Sequence, residues 1–193
     1  IAPGQYQRAR GARAAPGAAA MSRAHVVFSH GQDSSPYSRK ILELYEYAES
    51  EGYAASAVDY RGVSDPMERV RLLSDFCRNL SGELVLVGSS LGAFVSMAAA
   101  PSLHAKGLFL MAPAVELPDL PPLNIAPLDC PITVVHGWRD EVIPYENSVQ
   151  FAKARGATLH LVESDHRLHS ALPLIRSLFQ HFLIELDILP PME

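Results

Sequence analysis

At 193 residues, 48% hydrophobic and 19% charged, the chain is long enough to bury a full core, and its length favours one domain. A net charge of −5, with lysines and arginines scattered rather than clustered, excludes a polyanion-binding surface, so no nucleic-acid partner is expected. No apolar run reaches the roughly 18 residues of a membrane span, and two cysteines, Cys77 and Cys130, cannot build a disulfide framework, which suits a reducing, cytoplasmic location.

Residues 1–20 carry Arg8, Arg10 and Arg13 among alanines and glycines, with no acid and no continuous apolar segment of the secretory kind. They are expected to be a disordered or appended tail, with Met21 as a natural start and residues 21–193 as the domain. Without the tail, 13 basic residues face 21 acidic ones, a net −8.

From Ala24 onward, short β-rich apolar runs alternate with longer helical patterns, the signature of repeated strand-helix units around a mainly parallel sheet. The expected strands are 24–29, 54–59, 83–87, 106–111, 132–136 and 158–162. Between the first two, residues 37–50 place Ile41, Leu42, Leu44, Tyr45 and Ala48 at helical spacing. Asp65-Pro66 then opens a helix with a cap residue followed by proline at the first helical position, and Val70, Leu73, Phe76, Cys77 and Leu80 mark its buried face. Later helices are expected at 91–100, 145–155 and about 170–186, the last with Leu174, Leu178, Phe182 and Ile184 packed into the core. The architecture is thus α/β: about six mainly parallel strands with helices on both faces.

Residues 112–131 break the rhythm. Six prolines there, interleaved with Leu117, Leu120, Leu123 and Ile125, block a regular helix or central strand. The segment is expected to run as an apolar loop, either walling an acyl pocket or serving as a connector pinned to the core.

In an open parallel sheet the loops leaving the carboxyl ends of strands converge on one edge, so residues distant in sequence share a site there. The third strand exits into Gly88-Ser89-Ser90-Leu91-Gly92 and then helix-prone residues, which sets Ser90 on a sharp strand-to-helix turn. A turn that tight leaves no room for side chains two residues before or after the serine, and the helix behind it turns unpaired N–H groups toward any oxyanion formed there. The fifth strand exits into His136-Gly137-Trp138-Arg139-Asp140, and the sixth into Asp165-His166. Serine, acid and histidine therefore reach one edge in that order.

Those three segments, together with His30-Gly31-Gln32 after the first strand and Asp59-Tyr60-Arg61-Gly62 after the second, resemble the α/β-hydrolase superfamily over 24–186, most closely its small, capless bacterial serine esterases. The resemblance implies a three-layer fold without a separate cap domain, no cofactor and no metal. It further implies an oxyanion hole formed by the backbone N–H groups of Gln32 and Leu91.

Each role answers a chemical need. Ser90 is a poor nucleophile until a base accepts its proton; His166 can do so, and Asp140 can hold the imidazole tautomer and stabilise the imidazolium. Glu141 is the nearest rival to Asp140, and His169 to His166; the two histidines as a metal pair lack a third ligand of fitting spacing. His30 and His136, each before a glycine at a strand end, are read as loop braces, and Trp138 as a pocket wall or a cover for the sheet edge. The expected activity is hydrolysis of a small acyl ester through an acyl-enzyme, with a thioesterase of the same mechanism, or a noncatalytic binding protein on this fold, as alternatives.

Overall fold

The structure is a computed structural model and describes residues 5–6, 24–123 and 128–188. Elements follow in the order β1 (Gln5–Tyr6), β2 (His25–Ser29), α1 (Arg39–Ser50), β3 (Ala54–Val58), α2 (Pro66–Cys77), β4 (Leu84–Ser89), α3 (Leu91–Leu103), β5 (Gly107–Met111), β6 (Ile132–Gly137), α4 (Tyr145–Arg155), β7 (Thr158–Val162) and α5 (Leu172–Ile188). All six expected strands form. A seventh, the two-residue β1, comes from the segment expected to be a tail and adds an antiparallel edge to β3; the rest of residues 1–20 lies outside the described residues.

The sheet order is β1-β3-β2-β4-β5-β6-β7, and every pairing from β3 to β7 is parallel. Strands β4, β5 and β6 are buried along their whole length, as strands covered on both faces must be, which is why they read as unbroken apolar runs. One core layer unites α1 and α5 with the sheet through Ile41, Leu44, Ile175 and Phe179, and the opposite layer is built on α2, α3 and α4. Phe179 sets its ring against Phe28, Phe109 and Tyr47, and full burial of such a side chain contributes about 1.5–3 kcal/mol.

Local signals end the elements where the chemistry requires. The Asp65 carboxylate accepts from the Met67 and Glu68 N–H groups at 2.7 and 3.2 Å, with Pro66 beginning α2. Helix α3 is largely apolar because residues 91–97, 99 and 100 are buried, leaving only its last turn near the surface. The phase of α5 differs in part from expectation: Phe182 is buried and Leu178 packs partly buried against the core as expected, but Leu174 and Ile184 are 49% and 48% exposed, and Ile175, Phe179, Leu183 and Leu186 complete the buried face. Two apolar residues per turn leave several stripes of similar hydrophobicity, and contact with the Phe28 and Phe109 rings selects one. Among the described residues no helix is long and apolar enough to cross a membrane.

Chain direction fixes where a site can form. From β2 the chain moves outward to β3, then crosses back to β4 on the other side of β2, so the loops after β2 and β4 diverge and open a crevice between them. Register holds Ser29 beside Gly88 at that point. Between β5 and β6 the described residues run as an irregular loop, with no cap domain.

Candidate active site

Ser90 has φ 55° and ψ −121°, a conformation that non-glycine residues adopt only when their surroundings enforce it. Two glycines make it possible. A Cβ at Gly88 would collide with the Ala93 backbone, and one at Gly92 with the carbonyl of Ser29. The turn is pinned from the next strand, since the Ser90 N–H donates to Met111 O at 2.9 Å and Ser90 O accepts from the Ala114 N–H at 3.2 Å. Ser89, one residue earlier, is buried in β4.

The hydroxyl faces the histidine loop. Ser90 Oγ lies 3.1 Å from His166 Nε2, and His166 Nδ1 lies 2.7 Å from Asp140 Oδ2. A carboxylate oxygen only accepts, so Nδ1 carries the proton and Nε2 presents its lone pair to the serine hydroxyl. The loops bearing acid and base are tied together by the Trp138 N–H donating to Val162 O and the Arg139 N–H to Ser164 O, at 2.9 and 3.0 Å.

Asp140 is held at both oxygens. Oδ1 accepts from the Val142 and Ile143 N–H groups, each at 2.9 Å, and Oδ2 faces both His166 and His136 Nε2, the latter at 2.9 Å. Its side chain is fully buried. Burial alone would raise its pKa, but the hydrogen bonds from His136, His166, Ile143 and Val142 outweigh it and hold the carboxyl well below the usual range. His136 Nε2 also lies 3.1 Å from Ile143 O, an acceptor, so this nitrogen carries a proton, and Nδ1 faces Ser148 Oγ at 2.7 Å. The brace expected of His136 is therefore a grip on the acid itself.

The backbone donors expected at Gln32 and Leu91 sit on the crevice. Among the described residues neither N–H has an acceptor within the protein. Gly31 is close enough that a Cβ on it would stand 3.2 Å from Ser90 Cβ and 3.7 Å from Ser90 Oγ. His30 accepts from the Tyr60 N–H at Nε2, 2.9 Å, which leaves Nδ1 to donate to Gly31 O at 2.8 Å.

The alternatives fall elsewhere: Glu141 and His169 are exposed and outside the Ser90–His166–Asp140 chain of contacts. Among the described residues no three His, Cys, Asp or Glu side chains are grouped to hold a metal ion. Trp138 is 47% exposed, its ring 4.9 Å from that of Tyr145. The proline-rich loop is pinned where Asn147 Nδ2 donates to Val115 O at 2.9 Å, and it helps line an open pocket of about 360 Å³ formed by Phe94, Ala114, Glu116, Leu117, Leu120 and Leu123 among others. Of this pocket's walls Ala114 and Phe94 reach the serine turn, their N–H groups donating to Ser90 O at 3.2 and 3.4 Å; Ser90, Asp140 and His166 are not among them.

Sequence reasoning missed Arg69. Burial of an arginine with apolar neighbours at four-residue spacing, Leu73 and Cys77, was the available signal, since all three share one helix face.

Comparison with known proteins agrees with this architecture. A family model described as the alpha/beta hydrolase family matches residues 26–187. A protein of the alpha/beta superfamily from Xanthomonas campestris pv. campestris shares 32% identity at a TM-score of 0.78, the match covering 84% of this chain and 99% of that one. A serine hydrolase without lid from Xanthomonas campestris shares 20% identity at a TM-score of 0.74, covering 88% of this chain and 85% of that one. Est1E from Butyrivibrio proteoclasticus shares 22% identity at a TM-score of 0.73, covering 85% and 88%. In these last two the likeness is one of fold. No curated protein matches the sequence.

Proposed function

The chain belongs to the alpha/beta hydrolase family, and from that premise we propose that it is a cytoplasmic serine hydrolase cleaving small acyl esters through an acyl-enzyme. The observation that carries this reading is the unbroken line from Ser90 Oγ through His166 to Asp140, at 3.1 and 2.7 Å, with the serine in a strained turn at the sheet edge.

In the first half-reaction the Ser90 hydroxyl attacks the acyl carbon while its proton passes to His166 Nε2. The carbonyl oxygen becomes an oxyanion, and the N–H groups of Gln32 and Leu91, both without a partner among the described residues, supply its hydrogen bonds. Asp140, ionised and held by four donors, stabilises the imidazolium that forms. Collapse of the intermediate breaks the ester C–O bond, and His166 returns the proton to the departing alkoxide. Water then repeats the sequence on the acyl-enzyme, with His166 as base and Ser90 as leaving group.

A loop rather than a cap between β5 and β6 leaves the serine edge open, which favours small or exposed acyl groups over long chains sealed beneath a lid. The free cysteines Cys77 and Cys130 agree with a cytoplasmic setting. A fluorophosphonate probe tests the class: the wild type labels at Ser90, and Ser90→Ala and His166→Ala lose the label. No labelling of the wild type would favour a binding protein. A p-nitrophenyl ester panel from acetate to decanoate should show highest kcat/KM at the short end, and a parallel set of thioesters ranks oxygen against sulfur leaving groups.

A further inference from the structure

Arg69, at the start of α2, is 1% exposed, and among the described residues no carboxylate pairs with it. Burying a guanidinium costs several kcal/mol unless its donors are satisfied, and here main-chain carbonyls satisfy them. Nε donates to Val63 O at 2.7 Å, Nη1 to Gly31 O at 3.2 Å and His30 O at 3.4 Å, and Nη2 to Gln32 O at 3.4 Å. The guanidinium also lies 5.3 Å from the centre of the Tyr60 ring. Three of these four carbonyls belong to consecutive residues of the loop after β2.

Their direction has a consequence for the neighbouring N–H groups. No peptide bond here is cis, and in a trans peptide the C=O of one residue and the N–H of the next point to opposite sides. Gly31 O is drawn toward Arg69, with a second donor from His30 Nδ1, so the Gln32 N–H points away from both. Gly31 lies directly against Ser90. A cation on the carbonyl also polarises that peptide and makes its N–H a stronger donor.

We propose that Arg69 is a positioning residue of the oxyanion site: by holding the carbonyls of residues 30–32 from behind, it keeps the Gln32 N–H aimed at the acyl oxygen beside Ser90. The inference rests on the serine-hydrolase reading above, and on Gln32 as a donor within it. Lysine in this place keeps the charge but loses the planar fork that reaches several carbonyls at once.

The test compares wild type, Arg69→Lys and Arg69→Met on p-nitrophenyl acetate and against an alkyl boronate, which forms a tetrahedral adduct with the serine and places an oxygen where the oxyanion forms. Losing one oxyanion donor costs on the order of 100-fold in kcat; a misaimed donor is expected to cost at least about tenfold, with KM changed less than about threefold. The boronate Ki should rise in proportion to the fall in kcat/KM, a readout that general loosening of the fold would not reproduce. Folded variants with wild-type kcat, or with lower kcat but unchanged boronate affinity, overturn the proposal. If neither variant folds, the amide proton of Gln32 in the labelled wild type decides: a downfield shift on boronate binding is expected, and none overturns it. A wild type that neither hydrolyses the ester nor labels with fluorophosphonate sinks the serine-hydrolase reading instead, which separates the two failures.

Discussion

His136 and Asp140 face each other across the acid loop, with His136 Nε2 2.9 Å from Asp140 Oδ2, the same oxygen that lies 2.7 Å from His166. One carboxylate oxygen thus serves two rings, and its orientation toward His166 depends on the buried ring behind it. His136→Ala leaves Ser148 Oγ and Ile143 O without that partner, at a cost of about 2 kcal/mol in stability. It should also lower kcat about tenfold, which corresponds to about 1.4 kcal/mol of transition-state stabilisation. Urea denaturation and steady-state kinetics measure both, and wild-type kcat in a destabilised variant would reduce His136 to a structural brace.

Asp140→Asn keeps the shape of the acid but offers His166 Nδ1 an amide that can donate, which favours the imidazole tautomer with its proton on Nε2, facing Ser90. A kcat lower by a factor on the order of 10³–10⁴ is expected, with a cooperative unfolding transition retained. A fall of less than about tenfold would point to another acid.

Gly92→Ala drives a Cβ into the Ser29 carbonyl at the heart of the switch point, where strands on both sides prevent relief. A loss of about 3 kcal/mol or more is expected, with activity lost alongside. Gly156→Ala is the control: its φ is +65° but open space surrounds it, so about 1 kcal/mol is expected. Similar melting temperatures for the two would contradict the packing argument.

Lys40 donates to His166 O at 3.4 Å, and burial lowers its pKa to about 8, against opposing pulls from Asp140 and Asp165. The unfolded chain therefore binds more protons between pH 8 and 10.5, so the penalty is full below that window and vanishes above it. Lys40→Met should be the more stable protein at pH 7, by at most about 3 kcal/mol, with the gap closing by pH 10.5. Denaturant midpoints at both pH values decide, and a constant gap would refute the cause.

Acid should act in two stages. Burial pushes the His30 pKa below its ordinary 6.5, so the unfolded chain takes up the proton first and stability falls as pH drops below that value. Asp140, held below its ordinary 3.8 by hydrogen bonds, adds stability that is full above that pH and lost as pH falls further. Melting temperature followed from pH 8 to 3 should decline gently below about 6.5 and steeply below about 4.

Sequence alone was sufficient for whatever the backbone dictates locally: six strands, the proline-rich break, the Asp65-Pro66 helix start and the glycine-flanked serine turn, because each rests on residues within a few positions of one another. The order of Ser90, Asp140 and His166 at strand exits was legible for the same reason. Tertiary structure alone decided which face of α5 is buried, how His136 shares the Asp140 carboxylate, and why an arginine lies under the loop of residues 30–32. Those features depend on side chains that the fold brings together, Arg69 with Gly31 from 38 residues away and His166 with Asp140 from 26, or on which stripe of a helix meets the core, and only packing against specific rings and carbonyls separates the options.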